Sequence, residues 1–209
     1  MAMNRKRYLE EAVKAAQKAG QMLKKNISAC REISFKGVVD LVTNFDNQSQ
    51  RMIFKHLSSV FPGHGFLAEE GLSDSKGSDF QWIIDPLDGT TNYAHSFPVF
   101  TVSIALEEKA EIVVGVVYDP MREETFWAVK GKGAFLNGKK IKVSRVDDLN
   151  KSLLATGFPY DIRVSEVNNI VHFNNFLTRA QAIRRCGSAA LDLCYVACGR
   201  FDGFWELKL

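Results

Sequence analysis

The sequence of 209 residues lacks three features that would place it in a specialised class: a cysteine framework, a long apolar run and a strong excess of charge. Its four cysteines, at positions 30, 186, 194 and 198, fit no zinc-ligand spacing and indicate free thiols in a reduced, cytoplasmic protein. No apolar segment approaches the roughly 18–20 residues of a membrane span, and the basic start at residues 1–6 leads into an amphipathic stretch rather than a signal peptide. The formal net charge of +3 lacks the bias of a dedicated nucleic-acid binder. We therefore expect neither a membrane nor a nucleic acid as a direct partner.

What is present is a chain able to bury a large core, with 46% hydrophobic residues and 15 phenylalanines. Apolar residues at helical spacing predict helices over residues 7–25, 47–59, 166–180 and 187–198, the last capped by Ser188. Short apolar or β-branched runs predict strands over residues 81–85, 99–106, 112–118, 125–129, 141–143, 153–156 and 204–209. Asn137-Gly138 predicts a tight turn between strands 125–129 and 141–143, and Asp119-Pro120 predicts a solvated turn.

The order of these elements predicts an α/β fold with two halves. Residues 1–146 form an α+β half whose strands are largely antiparallel, and residues 147–209 form an α/β half. The sequence contains no repeat, low-complexity tract or obvious flexible linker that would favour another division.

The densest chemical signal is the segment Trp82-Ile83-Ile84-Asp85-Pro86-Leu87-Asp88-Gly89-Thr90-Thr91-Asn92. A buried strand delivers Asp85 at its end, Pro86 stiffens the turn, and Asp88 follows three residues later. Two carboxylates in a rigid turn are hard oxygen ligands that suit Mg²⁺ better than zinc or copper. Gly89 permits an unusual backbone angle, and Thr90 suits the first turn of a helix whose amides bind phosphate. The combination indicates phosphate-ester chemistry.

Other acidic positions are less specific when taken singly. Glu69-Glu70 follows an apolar run, and adjacent carboxylates repel unless a cation offsets them, although a solvated pair is the common alternative. Asp40 and Asp46 flank a short run that alone reads as a strand followed by a helix cap at Asp46.

Taken in order, these segments resemble the inositol monophosphatase family. The resemblance covers nearly the whole chain, and the later segments are most similar to bacterial members, including the extragenic suppressor protein type. It is carried by Asp40-Leu41-Val42-Thr43 through Asp46, Glu69-Glu70, Asp85 to Asn92, Gly115-Val116-Val117-Tyr118-Asp119-Pro120, Ala155-Thr156-Gly157-Phe158-Pro159 and Gly187-Ser188-Ala189-Ala190.

The resemblance implies a layered αβαβα sandwich and a set of residue roles. Two or three Mg²⁺ ions are expected, with Li⁺ as an inhibitor. The expected metal ligands are Glu69, Asp85, the Leu87 carbonyl and Asp88. The expected catalytic residues are Glu69, Thr90 and Asp46, which would orient and activate a water. The expected substrate contacts are Leu87, Asp88, Gly89, Thr90, Gly187, Ser188, Ala189 and Glu206.

The chain departs from the family pattern at its end. The family has Trp-Asp-x-Ala-Ala-Gly several residues after the position of Glu206, and its Asp completes the second metal site. The sequence stops at Leu209, before that motif. The favoured expectation is a fragment or truncated chain without its last strands and helices. The alternative is a version that has lost its second metal site, and in either case full activity is not expected of this chain alone.

The expected substrate is a small polyol or sugar phosphate, with inositol 1-phosphate first. Fructose 1,6-bisphosphate and 3′-phosphoadenosine 5′-phosphate are the alternatives within the superfamily. The resemblance also implies a homodimer, and a further alternative is an interaction factor in transcription complexes with RNA polymerase. Arg184-Arg185 could face substrate, a subunit partner or solvent.

Overall fold

The computed structural model describes residues 2–28, 33–35 and 41–209, so Cys30 and Asp40 lie outside the described residues. The helices are α1 (Ala2–Asn26), α2 (Asn44–Val60), α3 (Thr90–Ala94), α4 (Ile170–Leu177) and α5 (Ala189–Ala197). The strands are β1 (Ile33–Phe35), β2 (Leu41–Thr43), β3 (Gly65–Ala68), β4 (Ser73–Asp74), β5 (Phe80–Asp88), β6 (Thr101–Glu108), β7 (Glu111–Asp119), β8 (Glu124–Val129), β9 (Gly133–Leu136), β10 (Lys139–Lys140), β11 (Leu153–Thr156), β12 (Ala182–Arg184) and β13 (Gly203–Trp205). None of the described helices is long and apolar enough to span a membrane.

Eight strands form one sheet in the order β10-β9-β8-β7-β6-β5-β3-β4. Neighbouring strands are antiparallel except β3 and β5, which are parallel. Helices α1 and α2 pack on each other and against the central strands. Their buried side chains, such as Leu23, Ile53 and Leu57, share a core with Trp82 and Ile104 of the sheet. Burial of these apolar faces is the main force that holds the two helices on the sheet.

A second sheet has three parallel strands in the order β12-β11-β13. Helix α5 contacts β6 and β7 of the first sheet and β11 and β13 of the second, so it lies between the two sheets. Its Leu191 and Tyr195 belong to a second core with Phe126, Ala155 and Phe201. Helix, sheet, helix and sheet therefore follow one another as layers, which confirms the predicted α/β class. The division at residue 146 stays a prediction.

Several predicted elements have different limits in the structure. The strand predicted over residues 204–209 is limited to β13 (Gly203–Trp205). The tight turn at Asn137-Gly138 is present, with φ of 48° and 79°, but it joins β9 to β10. Residues 141–143 form no strand. The predicted helix over residues 166–180 is reduced to α4, and Asn168 Oδ1 accepts from the Ile170 amide at 3.1 Å where that helix begins. This side-chain bond satisfies a helix-start amide locally.

The predicted solvated turn at Asp119-Pro120 is wrong about Asp119. Its side chain is 0% exposed, and its Oδ1 accepts from the amides of Met121 at 2.9 Å and Arg122 at 3.1 Å. Its Oδ2 accepts from the Arg122 guanidinium at 3.0 Å. A buried carboxylate with three charge-compatible donors organises the β7–β8 turn.

Candidate active site

The acidic residues meet because β3 and β5 are parallel neighbours whose carboxyl ends lie at the same edge of the sheet. Ala68 pairs with Ile84, and the Glu69 amide donates to the Ile84 carbonyl at 3.2 Å. The next residue of β5 is Asp85, and the Asp85 and Glu69 side chains are in hydrogen-bond contact. The topology therefore brings together two carboxyl groups that are far apart in the sequence.

The end of β5 is irregular, and the irregularity presents a second carboxyl group. The pairing of β5 with β6 shifts register between Asp85 and Asp88. The Leu87 amide donates to Asp85 Oδ1 at 3.1 Å, which fixes the first carboxyl group against the turn. Gly89 then has φ of 94°, and a Cβ there would lie 3.0 Å from the Val99 carbonyl oxygen. Glycine is therefore required at the point where the strand turns into α3.

Three acidic side chains, Glu69, Asp85 and Asp88, influence one another's charge at this edge of the sheet. Burial, followed by the charges of Asp88 and Glu69, raises the pKa of Asp85 well above its usual range. Burial also raises the pKa of Asp88, although four hydrogen-bond donors around it act in the opposite direction. Carboxyl groups that destabilise one another's charge form a site that a cation would stabilise.

Asp88 connects the two sheets through one of its oxygens. Oδ2 accepts from the Ser188 hydroxyl at 2.6 Å and from the Ala190 amide at 2.8 Å. Thr101 Oγ1 lies 3.5 Å from the same oxygen. Ser188 is the N-cap residue of α5, as predicted, but its side chain makes no capping hydrogen bond. Asp88, from the other half of the chain, accepts the helix-start amide instead.

Thr90 is bonded to two groups at the start of α3. Its hydroxyl lies 3.1 Å from Asp46 Oδ1 and 2.9 Å from the Leu87 carbonyl oxygen, with the hydroxyl as donor. Asp46 is 1% exposed and lies in the first turn of α2. The sequence left Asp46 as either a helix cap or a site residue; the structure places it inside α2, facing Thr90.

Asp88, Gly89 and Thr90 line one wall of a cleft of about 180 Å³, and the second sheet and α5 supply the other. The lining does not include Asp46, Glu69, Asp85 or Leu87. Gly187, Ser188, Ala189 and Glu206 line this other wall, as do Arg185 and Asp192. A Cβ at Gly157 would overlap the Glu206 carboxylate. The absence of a side chain at residue 157 thus allows Glu206 to reach the cleft. Burial raises the pKa of Glu206, and the nearby Arg185 acts in the opposite direction.

Two further residues at the cleft were not predicted from the sequence: Asn92 as an individual residue, and Asp192 altogether. The Asn92 amide nitrogen donates to the carbonyls of Val99 and Cys186, each at 2.8 Å. Asp192 is 1% exposed, and burial raises its pKa to about 7. Asp192 lies four residues after Ser188, on the same face of α5, and this spacing was a signal that could have indicated it.

The donors at the strand edge fit Mg²⁺. In the part of the chain that the structure describes, no three His, Cys, Asp or Glu side chains are arranged to hold an ion by themselves. Mg²⁺ does not need such a cage, because it is usually held by one or two carboxylates together with water and substrate phosphate. The Glu69–Asp85 pair with the Leu87 carbonyl is an all-oxygen set of that kind, and Asp88 adds a further carboxyl group nearby.

Comparisons with known proteins agree with this geometry. The model of the inositol monophosphatase family matches residues 4–209. The inositol-1-monophosphatase of Mesorhizobium japonicum is 42% identical, over 99% of this chain and 79% of that protein. The Nus factor SuhB of Escherichia coli is 44% identical, over 96% of this chain and 76% of that protein. The crystal structure of the extragenic suppressor protein suhB from Bartonella henselae superposes with a TM-score of 0.92 at 41% identity, covering 97% of this chain and 79% of that one. The chain is a phosphatase that belongs to the inositol monophosphatase family.

Proposed function

We propose that this protein is a Mg²⁺-dependent phosphomonoesterase that hydrolyses inositol 1-phosphate with an activated water. The observation that carries the proposal is the contact of the Glu69 and Asp85 carboxyl groups at the edge where β5 turns into α3. The similarity to the inositol-1-monophosphatase of Mesorhizobium japonicum supports the substrate, and the oxygen-only donor set supports the metal.

The positions of the donors support the metal-binding roles that the family resemblance implies. Glu69, Asp85 and the Leu87 carbonyl would hold one Mg²⁺, and Asp85 and Asp88 would hold a second. When bound, the ions neutralise charge on the phosphoryl group and acidify a coordinated water. Asp88 uses Oδ2 for Ser188 and Ala190, so Oδ1 is the oxygen that would remain for the metal. The amides of Gly89 and Thr90 would receive the phosphate.

Glu69, Thr90 and Asp46 orient the attacking water. Because the Thr90 hydroxyl donates its proton to Asp46 or to the Leu87 carbonyl, its oxygen is free to accept a hydrogen bond from the water. Glu69 directly follows the last residue of β3 and is exposed, and it accepts the proton of that water. Asp46 is buried and therefore fixes the direction of the Thr90 hydroxyl.

The polyol is held on the opposite wall of the cleft. Glu206 accepts hydrogen bonds from substrate hydroxyls, and the backbone at Gly187, Ser188 and Ala189 shapes the pocket. The Ser188 side chain contributes indirectly, since its hydroxyl is bonded to Asp88. Hydrogen bonds to several hydroxyls select a polyol phosphate over a phosphate ester that lacks them.

A phosphate-release assay with a substrate panel tests this proposal. With Mg²⁺ present, turnover of inositol 1-phosphate should exceed that of fructose 1,6-bisphosphate and 3′-phosphoadenosine 5′-phosphate, and Li⁺ should inhibit it. Asp85→Asn should lower kcat/KM by at least about 10³-fold because it removes the shared carboxylate. Asp79→Asn is the matched control, since Asp79 is exposed on the surface near Lys109. Equal or faster turnover of the adenosine compound would overturn the substrate assignment.

A second candidate function is participation in a transcription complex, which the name of the Nus factor SuhB relative favours. Pull-down of RNA polymerase by the wild type and by Asp88→Asn would test it. Retention by both proteins would separate this role from hydrolysis, and retention by neither would exclude it. A homodimer is also proposed; light scattering at a single-chain mass would contradict it.

A further inference from the structure

Asn92 joins two turns that face each other across the cleft. It lies in α3, three residues after Gly89, and its side-chain nitrogen lies 2.8 Å from the Cys186 carbonyl oxygen and 3.4 Å from that of Gly187. The same nitrogen donates to the Val99 carbonyl at 2.8 Å. All three partners are acceptors, so the orientation of the amide is determined by its surroundings.

The two turns approach each other at glycines, where a side chain would make contacts that are too close. Gly187 has φ of 80°, and a Cβ there would lie 3.0 Å from the Asn92 side-chain nitrogen. A Cβ at Gly89 would lie 3.2 Å from the Gly187 carbonyl oxygen. The two turns are therefore packed backbone to backbone, with the Asn92 side chain filling the space beside them.

Asp88 makes a separate attachment between the same two segments. It accepts from Ser188 and Ala190, and these bonds do not involve Asn92. Loss of the Asn92 amide would remove two hydrogen bonds from the turn at residues 186–187. The hydrogen bonds of Asp88 to Ser188 and Ala190 would stay in place.

We propose that Asn92 is a positioning residue that sets the polyol-binding turn at residues 186–189 at the correct distance from the phosphate-binding turn at residues 88–90. This inference rests on the proposed function, because it assigns separate substrate parts to the two turns. Displacement of one wall by a fraction of an ångström weakens contacts with the polyol and leaves phosphate contacts in place. Asn92 thus acts on substrate selection through Gly187 and its neighbours.

Kinetics with two substrates test the inference. Inositol 1-phosphate uses both turns, whereas 4-nitrophenyl phosphate has no hydroxyl groups for the second. Asn92→Leu keeps nearly the same shape without donors and adds no charge, and Asn174→Leu is the control on the exposed side of α4. We expect Asn92→Leu to lower kcat/KM for inositol 1-phosphate about 10- to 100-fold, mainly through KM. Turnover of 4-nitrophenyl phosphate should change less than about 3-fold, since its contacts lie on the other wall.

Hydrogen exchange gives a readout that is independent of activity. Peptides that cover residues 186–191 should exchange faster in Asn92→Leu, while those from β3 and β5 stay unchanged. The exchange of Asn92→Ala is measured in the same way, and this variant replaces Asn92→Leu in the test if Asn92→Leu does not fold. Equal losses with both substrates, or unchanged exchange at residues 186–191, would overturn the inference. If the wild type releases phosphate from neither compound, the proposed function fails, and the exchange result alone decides whether Asn92 holds the turn.

Discussion

Asp192 should make the metal-free protein less stable as the pH rises, and Asp192→Asn should remove that loss. The carboxyl group lies in α5, and Oδ1 has no hydrogen-bond partner among the described residues. The Cys186 thiol donates to it and Arg185 is nearby, but Asp88 and Glu206 add negative charge. Burial is the largest cause that raises its pKa from 3.8 to about 7.

The sign follows from the direction of this shift. The folded state holds the Asp192 proton up to a higher pH than the unfolded chain does. Stability from this group is therefore complete below pH 3.8 and is lost as the pH rises to about 7. The full shift corresponds to an upper limit of about 4 kcal/mol. Rearrangement of the surrounding groups and entry of water on ionisation reduce this limit, so we expect about 2 kcal/mol.

Urea unfolding of the wild type and Asp192→Asn in EDTA, at pH 5 and pH 8, measures this difference. The variant should be more stable at pH 8, and its advantage should be about 1–2 kcal/mol larger than at pH 5. Mg²⁺ should reduce the advantage, because a cation near Asp88 offsets the local negative charge. A difference between the two proteins that is the same at both pH values would refute the reasoning. So would a wild type that is more stable than the variant at pH 8.

Three further changes have expected outcomes. Gly89→Ala should destabilise the protein by about 2–3 kcal/mol in thermal melts. Gly131 also has a positive φ but lies in open space, so Gly131→Ala should cost only about 1 kcal/mol. Equal losses of stability in the two variants would contradict the close contact at Gly89. Thr90→Val should lower kcat about 10²-fold with little change in KM. Thr90→Ser keeps the hydroxyl and should retain most of the activity. A kcat of Thr90→Val equal to that of the wild type would exclude the water-orienting role. Asp119→Ala should cost about 2–3 kcal/mol in urea unfolding because it leaves turn amides and Arg122 without their acceptor, and a solvated Asp119 would cost almost nothing.

The fold class and the main motif could be predicted because they depend on local signals. Alternating and helical periodicity gave β5 to β8 and α1, α2 and α5 within a few residues. The register shift that separates Asp85 from Asp88 could not be predicted, since it depends on how β6 pairs alongside. The start of α4 could not be predicted either, because it coincides with a side-chain bond from Asn168 to the Ile170 amide.

The sequence by itself indicated the residues proposed to carry the chemistry: acidic groups at Glu69, Asp85 and Asp88, and glycine where the strand turns into a helix. The tertiary structure alone decided how they are combined. Parallel pairing of β3 with β5 brings Glu69 to Asp85, and the packing of α5 between two sheets gives Ser188 to Asp88 rather than to its own helix. A hydrogen bond between residues about 100 positions apart cannot be predicted from the local sequence pattern. The spacing of apolar and polar residues reflects burial and backbone preference, and it does not identify a distant partner.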